Sequence, residues 1–77
     1  MNLNDGVVNH IYRVVTVDDL ALPVERRLEA LGLTEGTELQ VLQNKTRGAV
    51  IVKVRGTRFA VGQTIAAGIG IEEAAVQ

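Results

Sequence analysis

The chain has 77 residues, a formal net charge of −1 and no cysteine. That length makes one domain, residues 1–77, and a chain this short buries roughly 60% of its unfolded surface, which leaves little room for an open active-site cleft. The missing cysteines exclude disulfides, thiolate metal sites and cysteine nucleophiles, and the absent positive charge removes the footprint of a nucleic-acid binder.

The apolar fraction is 47%, yet Tyr12 and Phe59 are the sole aromatics. Val, Leu, Ile and Ala must therefore fill the core. Two aromatics are too few to stack bases or to line a groove for Pro-rich peptides. The opening residues, Met1 to Gly6, lack the basic and apolar regions of a signal peptide. No apolar run approaches the roughly 20 residues that span a bilayer. A domain this small without staples suits a reducing compartment, so the expected location is the cytoplasm.

Val7 to Val17 is rich in β-branched residues and reads as the first strand. Its alternation is imperfect, which predicts a bulge near Tyr12. Asp18-Asp19 ends the run. Val24, Leu28 and Leu31 then follow at i, i+4 and i+7, the stripe of a short amphipathic helix. Pro23 suits its first position, where a missing N–H costs nothing. Gly32 stands where a left-handed cap belongs, with Leu33 folding back on the last turn.

Thr34-Glu35-Gly36 is turn chemistry. Leu39 and Val41 alternate with polar residues as a half-buried strand. Gln43 to Gly48 reads as a polar hairpin loop, and Val50, Val52 and Val54 alternate in the next strand. Gly56-Thr57 is a tight turn into Arg58 to Val61. Ile65-Ala66-Ala67 fits a single helical turn, and Ile69-Gly70-Ile71 closes the chain as a last strand. The predicted fold is all-β, a small barrel of about five strands with one short helix between the first and second, because closure removes unprotected edges.

Two stretches carry a family resemblance: Arg27 to Thr37, with its Leu31-Gly32-Leu33 corner and Gly36 turn, and Val54 to Val61, with its Arg55-Gly56 turn. With the ending Ile65 to Ile69, their order and spacing resemble the FeoA family over nearly the whole chain. The polar loop Asn44 to Arg47 departs from the more apolar loop often seen there. The resemblance implies an SH3-like barrel, similar to the C-terminal domain of iron-dependent repressors. It also implies an accessory role in bacterial ferrous-iron uptake, exerted on the cytoplasmic region of the FeoB transporter. The residues themselves point to no cofactor. The alternative is a free-standing regulatory domain of the repressor type.

The residues themselves offer no catalytic constellation. The chain has no Ser and one His, so a Ser-His-Asp triad cannot be assembled, and Gly68-Ile69-Gly70 lacks the rest of a phosphate-binding motif. No metal site is expected, since His10 would need converging ligands, for which Asp5, Asp18 and Asp19 are the nearest candidates. The candidate partner-binding residues are Arg26 and Arg27 on the open helix face, Leu33 beside the cap, and Lys45 and Arg47 in the polar loop. Leu22 and Leu42 extend the candidate apolar surface. Lys45, Arg47, Lys53, Arg55 and Arg58 give the hairpins a basic tilt, read as an electrostatic patch for an acidic partner surface. Against these stand plainer roles: a solvated helix face with Arg26 paired to Glu29, ordinary charge on the outward strand faces for the basic hairpin residues, and a cap contact for Leu33.

Overall fold

The computed structural model describes residues 1–18, 20–45 and 48–74. Five strands, β1 (Ile11–Val17), β2 (Glu38–Asn44), β3 (Val50–Val54), β4 (Thr57–Val61) and β5 (Ile69–Glu73), form one sheet. Helix α1 (Leu22–Ala30) joins β1 to β2, and the single turn α2 (Gln63–Ala66) joins β4 to β5. All pairings are antiparallel and the order is β4-β3-β2-β1-β5. The predicted all-β fold with a helix between the first two strands is thus the observed one.

Alternation builds the core. Tyr12 and Val14, Leu39 and Val41, then Val50, Val52 and Val54 all point to one side and are buried. Ile69 and Ile71 complete it from β5, with Leu28 from α1. A period of two selects these residues because successive side chains leave opposite faces of a strand. The bulge in β1 lies between Val14 and Thr16, three residues past the predicted position. One extra residue there reverses parity. Tyr12 and Val14 face inward before it, and Val17 packs on the core after it.

The N-terminal valines are not part of β1. Val7 to His10 form a turn, with the His10 amide donating to the Val7 carbonyl at 3.1 Å and Asn9 at φ 72. The Tyr12 hydroxyl fixes this turn by accepting from the Val7 amide at 2.8 Å. Composition suggested a strand, but a left-handed Asn cannot continue one.

Helix α1 carries Leu22 at its first position and Pro23 second, one residue from the prediction. Its end follows the Schellman pattern. The Leu33 amide donates to the Leu28 carbonyl at 2.8 Å and the Gly32 amide to Glu29 at 3.0 Å. Gly32, at φ 88, permits that reversal. Leu33 is consequently 1% exposed, whereas Leu31, the expected third member of the stripe, is 39% exposed.

A sheet ordered this way has two edges, β4 and β5, where complete closure would leave none. The N-terminal segment covers β5: Asn2 bridges Gly70, and the Ile71 amide donates to the Met1 carbonyl at 3.0 Å. Asn44 anchors this segment, its side-chain amide donating to the Asn4 and Gly6 carbonyls at 3.0 and 2.7 Å.

Candidate docking surface

Arg26 and Arg27 are exposed on α1. The helix presents them because Leu28 takes the inward position beside them and the chain reverses just past Leu31. The expected Arg26–Glu29 pair does not form. The ion pairs among the described residues are His10–Glu73, Arg13–Glu38 and Arg13–Glu72, at 3.6, 3.6 and 3.2 Å. Neither helical guanidinium has an ion pair among the described residues. Beside them, Glu25 and Glu29 join Val17, Leu33, Thr34 and Glu35 around a cleft of about 180 Å³.

Leu33 requires a correction. Its side chain lies in the core cluster because the cap turns it inward, and with 1% exposed it forms only the floor of the cleft. Leu22, in contrast, is 56% exposed, and Leu42 is half-buried. Lys45 is exposed and lines a second cleft with Asn4, Asn44 and Gln63. It follows β2, whereas α1 precedes that strand. The seven-residue strand, about 20 Å long, lies between them in the chain, and the cleft beside α1 and the cleft at Lys45 share no lining residue. Arg47 lies outside the described residues.

The hairpin β3–β4 carries the basic residues Lys53, Arg55 and Arg58, and the structure adds the register that the sequence reading lacked. Arg55 and Gly56 are its two-residue loop, at φ 52 and 82, the left-handed pair of a type I′ turn. This register sets Lys53 directly opposite Arg58, and both side chains face solvent. Arg55 lies against the end of α1, where a β-carbon on Gly32 would be 3.8 Å from its Cδ. A cation suits the negative end of a helix dipole. The clue was available: with the turn at 55 and 56, residues 53 and 58 must pair.

His10 is exposed, with its ring centroid 6.2 Å from that of Tyr12. Asp5 accepts from the Asn2 amide at 3.0 Å in the N-terminal 3₁₀ turn. Asp18 follows the far end of β1, and Asp19 lies outside the described residues. Asp5 is thus engaged in the N-terminal turn, and His10 pairs with Glu73 instead. Among the described residues no group of three or more His, Asp or Glu side chains is placed to hold a metal. No helix among them is long and apolar enough to cross a membrane.

Residues 1–73 match the FeoA domain family model. The solution structure of FeoA from Chlorobium tepidum is 29% identical with a TM-score of 0.86, covering 97% of this chain and 71% of that one. Stenotrophomonas maltophilia FeoA, solved with zinc and described as an SH3 domain protein, is 26% identical with a TM-score of 0.81. That match covers 94% of this chain and 89% of that one. The manganese regulator SloR shares the fold, with 24% identity and a TM-score of 0.81, over 96% of this chain and 34% of the regulator. No curated protein sequence matches the chain.

Proposed function

Because the chain belongs to the FeoA family, we propose that it is a cytoplasmic accessory protein of ferrous-iron uptake. In this reading it docks on the cytoplasmic region of FeoB and modulates or stabilises the transporter without catalysis of its own. The observation that supports this docking face is Arg26 and Arg27 on α1, both exposed and without an ion pair among the described residues. Charged groups that pay no intramolecular cost of separation are suited to steer and orient a complex.

The test is a pull-down against the FeoB cytoplasmic region with a GTP analogue, GDP or no nucleotide. The double variant Arg26→Glu/Arg27→Glu should keep the fold and lose about tenfold or more in affinity. Lys45→Glu, on the other surface, should bind like the parent. Retention limited to one nucleotide state would identify a regulator of the switch, and retention in all states an assembly subunit. No retention in any state sinks the reading. A regulatory role of the repressor type is supported by the shared fold alone. It would need a DNA-binding unit supplied by another chain.

A further inference from the structure

The two edges of the sheet differ in what they leave available. β4 pairs with β3 alone. A two-residue turn closes on a hydrogen-bonded pair, here Val54 with Thr57, and bonded pairs alternate along an antiparallel ladder. Thr57, Phe59 and Val61 therefore spend their backbone groups on β3. Arg58 and Ala60 direct theirs outward, and among the described residues nothing receives them.

The side chains on that edge are equally unmatched. Lys53 and Arg58 stand directly opposite each other on the outer face, an arrangement that destabilises a strand pair. Arg55 adds a third cation in the adjoining turn. None of the three has an ion pair among the described residues. Lys53 faces Gln40 on its other side, and Glu38, which lines the same shallow depression, is engaged with Arg13. On the opposite side of β4, half-buried Phe59 offers an apolar surface.

We propose that the β4 edge binds an extended segment of a partner protein whose acidic residues alternate with apolar ones. The segment adds a sixth strand. Its backbone pairs with Arg58 and Ala60, its carboxylates lie beside Arg58 on the outer face, and its apolar side chains pack toward Phe59. Main-chain bonds supply affinity and alternate side chains supply specificity in such strand addition. A second copy is a poor occupant, since edge-to-edge pairing would bring two sets of these cations to one seam. This surface is separate from α1 and does not depend on FeoB being the partner.

The full chain is titrated, with backbone amides followed by NMR, against an acetylated octapeptide alternating glutamate and valine. Binding should shift and protect the Arg58 and Ala60 amides, and it should weaken as salt screens the charges. Ala60→Pro removes an outward N–H without touching a β3 bond, and should weaken binding about tenfold. Arg58→Glu should reverse the preference toward a peptide with lysine in place of glutamate. Should Ala60→Pro unfold, a peptide N-methylated at alternate residues gives the same test on the unaltered chain, and it should not bind. The proposal is overturned by equal binding of the lysine peptide, by undiminished binding of the N-methylated one, by shifts away from β4, or by no binding. Association only with an RNA oligonucleotide, or only with a second copy, overturns it too.

Discussion

β5 and β4 are both edge strands of one sheet, yet they are finished in opposite ways. The backbone of β5 is met by Met1 and Asn2, and that cover is held by Asn44 at the end of the central strand β2. β4 has no cover among the described residues and is guarded only by charge. Charge is a known protection for an edge against unwanted pairing, but it is selective where a cover is not. A covered edge refuses every strand, whereas a basic edge refuses basic and neutral ones and admits an acidic one. The contrast separates a structural edge from one that can recognise something.

Three substitutions break or sharpen that contrast. The largest effect is expected from Gly68→Ala at the entry to β5. A β-carbon there would stand 2.5 Å from the Asp18 carbonyl oxygen and 2.9 Å from Leu20 Cδ2. Backbone cannot yield as a flexible side chain can, so the variant should lose about 3 kcal/mol in urea unfolding. An unchanged midpoint would mean that the β1–β5 junction is looser than its geometry. Next comes Asn44→Ala, which strips two carbonyls of their donor. A loss of about 1–2 kcal/mol is expected, together with faster hydrogen exchange at the Ile71 amide, the group that reports the cover directly. If stability fell but Ile71 exchange stayed put, Asn44 would be supporting the loop and not the edge.

The smallest effect has the opposite sign. Arg58→Glu replaces a like-charge pair with an attractive one across from Lys53, and should stabilise the domain by about 0.5 kcal/mol. A gain in stability from removing a charged residue is what a binding surface shows when its charges await a partner. A loss would mean that Arg58 earns its place within the fold.

Legibility in the sequence followed how local each determinant is. The α1 cap could be read because Gly32 and Leu33 act on the turn beside them. The Val50, Val52 and Val54 alternation could be read because a strand between two neighbours needs one consistent inward face. The β1 bulge was foreseen in kind but misplaced, since its position is set by Gly70 and Ile71 across the ladder with β5. Val7 and Val8 were misassigned because composition cannot see the Tyr12 hydroxyl that holds their turn. The exposure of Arg26 and Arg27 could be read from helical spacing, whereas Leu33 was lost to its own cap. The Lys53–Arg58 opposition went unused because it becomes a feature only once the turn fixes the register.

The pairing order has a kinetic consequence. β1 is the first strand of the chain and lies between β2 and β5, the last. The nucleus can assemble β2, β3 and β4 from contacts close in sequence, but β1 waits for a partner nearly the whole chain away. Contacts of such long range slow folding. Until β5 arrives, the run Ile11–Val17 has one unpaired side and the β-branched composition that favours intermolecular pairing. Synthesis delivers β5 after the other four strands, so the interval in which β1 is exposed to aggregation ends only when β5 docks.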